Sequence, residues 1–140
     1  MKVTMKETDS KVYAMKILNK GTIIAHNGVE HTLMKLQHPF LAKLYYFFQT
    51  SNKFYFVRDY IDGRELFFYL QKERRFSEER VRFYAAEILA GVEYLHTYEV
   101  IYHNLTPENL LLTREGHIVM TDFGLHKFKE GFSGTPEYLA

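Results

Sequence analysis

The chain has 140 residues, 46% of them hydrophobic and 25% charged, which suits one domain with a sizeable core. A formal net charge of +1 argues against nucleic acid or an anionic membrane as the main partner. Zero cysteines exclude disulfides and thiolate metal sites. With no secretory leader in the first ten residues and no apolar run of bilayer length, the expectation is an intracellular protein, cytoplasmic or nuclear.

Lys11 to Leu18 alternates as a strand does, with Val12, Ala14, Lys16 and Leu18 on one face and Tyr13, Met15 and Ile17 on the other. A short helix is expected from about Val29 to Leu36, cut off by His38-Pro39. Two aromatic, β-rich runs follow, Leu41 to Gln49 and Lys53 to Tyr60, and Ser51-Asn52 between them makes a hairpin. Beyond Asp62-Gly63, the stretch from Arg64 to Glu73 reads as a short helix. Ser77 is an N-cap for a longer one reaching about His96, with Glu78 and Glu79 where the helix dipole favours acids. Its apolar stripe is Val81, Tyr84, Ala85, Ile88, Val92 and Leu95, at spacings of three and four. Leu110 to Leu112 and His117 to Met120 are short strands around the turn Arg114-Glu115-Gly116. After Gly124 the chain is irregular.

Most polar residues have an ordinary explanation. The seven histidines show no metal-ligand spacing. The cluster Lys72-Glu73-Arg74-Arg75 with Arg80 and Arg82 is mixed in sign and reads as a solvated surface. The aromatics concentrate at 45–60 and 67–69, where packing into a core accounts for them. Lys16, taken alone, is a solvated strand lysine.

One set of motifs resists that treatment. Val12-Tyr-Ala-Met-Lys16, His38-Pro-Phe-Leu41, Phe48-Gln-Thr50, Glu65-Leu-Phe67, Arg82-Phe-Tyr-Ala-Ala-Glu87 and Tyr94-Leu-His96 are followed by Pro107-Glu-Asn109, Thr121-Asp-Phe-Gly124 and Gly134-Thr-Pro-Glu-Tyr138. A lone Asp-Phe-Gly is a weak signal; one that follows Pro-Glu-Asn across a short hairpin is strong. Across nearly its whole length the chain resembles the AGC group of serine/threonine protein kinases, nearest to protein kinase B and the serum- and glucocorticoid-regulated kinases. The resemblance implies an α+β, protein-kinase-like fold: a partial small lobe over residues 1–60, and the first half of the large lobe over 61–140, ending in the activation segment. It implies ATP in the cleft between the lobes, with Lys16 on the α- and β-phosphates. Ala14 and Leu111 would sandwich the adenine, Asp59 to Ile61 would form the hinge, and Glu65 would sit near the ribose. Asn109 and Asp122 would supply oxygens to Mg2+.

The departures from that pattern bear on activity. The catalytic-base position holds Asn104, which cannot take a proton from a substrate hydroxyl at neutral pH. The lysine that steadies the transferred phosphate is Thr106, and the arginine that pairs with a phosphorylated activation loop is His103. Gly131 stands where the phosphorylated threonine is usual. The slot for the glutamate partner of Lys16 holds Lys35, which would repel it, and Glu30 falls on another side of the helix. Arg58 takes the apolar gatekeeper position and must find an acid, reach solvent or obstruct the adenine pocket. Arg64 replaces the second glycine of Gly-Gly-Glu-Leu. The Gly-rich loop would precede residue 1, and the later large-lobe helices would follow residue 140.

Three functions are open on these grounds. The chain is an inactive relative, a pseudokinase or degenerate product, that holds Mg·ATP weakly or not at all. Alternatively it is a working serine/threonine kinase, or else a non-catalytic binding module or unstable fragment. The α-helix stripe between 81 and 95, left uncovered, would favour a protein partner or self-association.

Overall fold

The computed structural model describes residues 2–4, 11–20, 29–103 and 105–123. Four strands form an antiparallel sheet: β1 (Lys2–Thr4), β2 (Val12–Asn19), β3 (Leu44–Gln49) and β4 (Lys53–Asp59), in the order β1-β2-β4-β3. Helix α1 (Val29–Lys35) packs on this sheet against β3. The second part holds the small strands β5 (Arg64–Glu65), β6 (Leu110–Leu112) and β7 (Ile118–Met120), paired in that order, with helices α2 (Leu66–Glu73) and α3 (Glu78–Thr97). This is the α+β architecture expected. Strand β1 had no signal of its own; its three residues gain a partner only because β2 offers an open edge at Val12–Ala14.

Local chemistry accounts for most boundaries. Ser77 Oγ accepts from the Arg80 amide at 3.3 Å, so the expected N-cap of α3 forms. Strand β3 begins at Leu44 rather than Leu41, because Leu41 is drawn aside into a parallel bridge with Met120 of β7. The helix expected from Arg64 instead begins at Leu66, since Arg64 and Glu65 pair with Leu112 and Leu111 as a strand. Gly116 turns the β6–β7 hairpin with φ 91, a conformation that suits glycine.

The stripe read for α3 holds at Tyr84 and Leu95, which are buried, and at Ile88 and Val92, which pack against the core; Val81, 50% exposed, and Ala85 face solvent instead, and Glu87 and Gly91 complete the buried face. At Gly91 the missing side chain lets Met120 of β7 approach the helix backbone, and Glu87, one turn earlier, also faces inward. One carboxylate oxygen of Glu87 accepts the Ile118 amide at 2.8 Å, and the other lies 2.6 Å from Nδ1 of His117. A charged residue in that register is invisible to a search for apolar periodicity. We expect Glu87→Ala to cost about 2 kcal/mol in a urea titration, because the buried Ile118 N–H loses its acceptor. A change below about 0.5 kcal/mol would mean that water replaces the carboxylate.

The aromatic runs also divide. Phe54 and Phe56 enter the core, while Tyr46, Phe48, Tyr60 and Phe68 are exposed, so core packing does not account for all of them. Phe48 instead stacks on Tyr55 across the strand pair, with centroids 4.8 Å apart.

Candidate functional site

The face of β2 that carries Ala14, Lys16 and Leu18 lies beside the face of β4 that carries Arg58, Phe56 and Phe54, in direct cross-strand register. Lys16 and Arg58 are therefore diagonal neighbours on one side of the sheet. Both reach the same carboxylate. Lys16 Nζ donates to Asp122 Oδ2 at 2.5 Å, and Arg58 Nη1 donates to Asp122 Oδ1 at 3.0 Å. The three side chains are 32%, 21% and 15% exposed, so the cluster is half withdrawn from water. Leu33, Ala42, Leu44, Phe56 and Phe123 wall the recess around it, a cavity of about 30 Å³. That is room for one or two waters beside the ion cluster itself, and the expected adenine positions Ala14 and Leu111 are not among its walls.

Asp122 is held from behind by backbone contacts. The preceding residue, Thr121, donates its amide to the Asn109 carbonyl at 2.9 Å and its carbonyl accepts the Tyr102 hydroxyl at 2.5 Å. Tyr102 packs edge-on to Phe123. Burial, with a smaller contribution from the Asp122 charge, pushes the Tyr102 hydroxyl well above its ordinary pKa, so it remains a donor at any physiological pH. Asp122 itself has φ 62, in the left-handed region that aspartate tolerates better than most residues.

The remaining residues singled out from the sequence are distributed as follows. Asn109 lies in the same turn as Thr106: its amide donates to the Thr106 carbonyl at 2.9 Å, and its Nδ2 to the Thr106 hydroxyl at 3.3 Å. Thr106 is buried and so closes this turn. Ala14 sits opposite Arg58 on β2, and Leu111 opposite Glu65 on β6; both apolar residues are half-buried and Glu65 is exposed. Asp59 turns away from Lys16, with its carboxylate accepting the Lys43 amide at 3.1 Å and the Tyr45 hydroxyl at 2.9 Å. With Ile61, His38 and Lys43 it lines a second recess, distinct from the one at Lys16. Asn104 and the segment from Gly124 onward, Gly131 included, lie outside the described residues.

Lys35 ends α1 and is exposed, and among the described side chains of α1 it is Leu33 that lines the Lys16 recess. Charge compensation for Lys16 comes from Asp122 instead. The acid required by Arg58 is the same group, a convergence that the sequence spacing alone did not reveal.

Asp122 thus serves two cations, and a carboxylate oxygen that accepts one hydrogen bond keeps a lone pair for a hard ion such as Mg2+. Each oxygen of Asp122 already accepts from a cationic donor, and a divalent ion brought there would meet two fixed positive charges. Among the described residues no group of three or more His, Asp or Glu is placed to hold a metal ion, and no helix is long and apolar enough to cross a membrane.

Comparison with known proteins agrees with the geometry. The protein kinase domain family matches residues 2–140. The chain is similar to a RAC family serine/threonine-protein kinase homolog of Dictyostelium discoideum, at 54% identity over 96% of this chain and 34% of that protein. It is 49% identical to Protein kinase 2 of the same organism, over 96% of this chain and 31% of the relative. To human serine/threonine-protein kinase Sgk2 it is 48% identical, over 96% and 41% respectively. The chain thus spans between about a third and two fifths of the length of these relatives. With a two-part α+β fold, a strand lysine and an Asp-Phe-Gly aspartate in contact, and the family model matched from end to end, this chain belongs to the protein kinase domain family, among relatives of the AGC group.

Proposed function

We propose that this chain is an intracellular AGC-type serine/threonine kinase domain in which phosphoryl transfer is impaired while the cleft beside Lys16 still receives a nucleotide. The observation that carries the reading is the engagement of both Asp122 oxygens by Lys16 and Arg58. A carboxylate neutralised twice over is poorly placed to organise a transferring phosphoryl group, for which positioning and electrostatics supply nearly all the catalysis. Asn104 at the position of the catalytic base supports it from the sequence, since losing a positioned base costs about 10²–10⁴-fold.

The test is transfer of labelled phosphate from ATP to a serine peptide rich in basic residues. Wild type is expected to run about 10²–10⁴-fold below the RAC-type relatives. Asn104→Asp should raise the rate without restoring it, because the clamp on Asp122 persists. A wild-type rate equal to that of the relatives would sink the proposal.

A further inference from the structure

Helix α3 carries a second pattern on the side turned away from the core. Glu79, Arg82, Ala86, Leu89, Glu93 and His96 follow one another at alternating spacings of three and four, and all six are exposed. That alternation is the spacing of a seam between two paired helices. Leu89, near its middle, is 67% exposed, more than any other large apolar side chain among the described residues. The charges along the seam have an order. Turned end for end about a point between positions 87 and 88, the seam falls on itself: Arg82 meets Glu93, Glu79 meets His96, and Ala86 meets Leu89. Each acid then faces a donor, and the one large apolar residue faces the smallest of the six. In a parallel, in-register pair every residue would face its own copy, with acid on acid at Glu79 and Glu93 and base on base at Arg82.

We propose that α3 pairs antiparallel with α3 of a second copy of this chain, with Leu89 of each copy seated on Ala86 of the other and an Arg82–Glu93 ion pair on either side. A two-fold axis makes every contact twice, as a closed interface between identical subunits requires. Arg82 already has Glu78 as an intrahelical partner at 2.7 Å, but those side chains are 76% and 87% exposed, and an ion pair so open to water holds its members weakly. Against a second helix Arg82 gains a partner that is partly shielded by the contact itself. Small side chains at Ala85 and Ala90, flanking the seam, let the two backbones come close. The contact is a single 20-residue helix, about 30 Å long, so the dimer is weak and concentration-dependent. It lies apart from the cleft at Lys16 and does not depend on whether that cleft receives a nucleotide.

The experiment is analytical ultracentrifugation of the purified chain from micromolar to millimolar concentration. Wild type should show a reversible monomer–dimer equilibrium. Arg82→Glu alone and Glu93→Arg alone should each weaken it by about tenfold or more, because like charges then face each other on both sides of the axis. An equimolar mixture of the two variants should associate as wild type does, since each supplies the charge that the other lacks. Leu89→Glu removes the central contact and should leave a monomer; this variant carries the test if either charge variant fails to melt cooperatively. A wild type that stays monomeric throughout overturns the proposal and leaves the face to a different segment or protein. Variants that associate as tightly as wild type overturn it too, because the copies then meet through another surface. So does a mixture that remains monomeric where wild type pairs.

Discussion

Met120→Ala is expected to lower the unfolding free energy by about 3–5 kcal/mol, at the upper end for truncation of a core side chain. Met120 is fully buried, and three parts of the chain depend on it. It ends β7, its Cε occupies the space that a side chain at Gly91 of α3 would need, and its backbone bridges Leu41. Alanine would leave a void between helix and hairpin, and neither can move in to fill it: the Ile118 amide and Glu87 hold α3 and β7 at a set distance. For a domain whose total stability is about 5–15 kcal/mol, the loss is a large fraction. Urea unfolding followed by circular dichroism measures it. A loss under about 1 kcal/mol would show that the helix collapses onto the hairpin after all.

The second large effect is at Gly63. A Cβ built there would sit 1.9 Å from the carbonyl oxygen and 2.8 Å from the carbonyl carbon of Leu112, both backbone atoms of the small sheet. Gly63→Ala must therefore push β5 away from β6 and disturb the pairing of Arg64 with Leu112 and Glu65 with Leu111. About 3 kcal/mol or more is expected, beyond the usual cost of overpacking, because no side chain can swing aside. Gly91→Ala is the control. Its added carbon would meet the Met120 methyl at 2.1 Å, the far end of a flexible side chain, with Leu41 and Phe40 no closer than 3.6 Å. Methionine adapts, so about 1 kcal/mol is expected there. Equal losses at the two positions would refute the distinction between a backbone obstacle and a side-chain one.

How much of this could be read in advance depended on the range of the interaction involved. Helix α3 was legible because its signals are local: Ser77, the acids of the first turn, and a helical period of apolar residues. The inward places of Gly91 and Glu87 were not, because they are set by Met120, His117 and Ile118, far along the chain. A period search counts glycine as neutral and glutamate as outward, and here both point in. The site behaved the same way. Lys16 and Asp122 were each singled out by motif, and Arg58 by its need for an acid. That one carboxylate serves both cations depends on the antiparallel register of β2 and β4 and on the path of the chain after β7. Neither is written in spacing. The family's count puts Lys35 in the slot for the partner of Lys16, whereas the described residue of α1 that lines the recess is Leu33. Thr106, read as a lost lysine, is buried in its turn with Asn109, a structural role that a comparison of catalytic positions could not suggest.

The seam between the two halves has a consequence for how the molecule opens. The Ala42 amide donates to the Met120 carbonyl at 3.0 Å, and the Met120 amide to the Phe40 carbonyl at 2.8 Å. Ala42 and Met120 are almost wholly buried, so neither proton can meet solvent while the segment and the hairpin remain joined. Residues far apart in the chain are thus bound into one cooperative unit, and partial unfolding of either half must begin elsewhere. In deuterium exchange these two amides should lose their protons together and last, at the rate of global unfolding, while the β3–β4 turn at Ser51–Asn52 exchanges early.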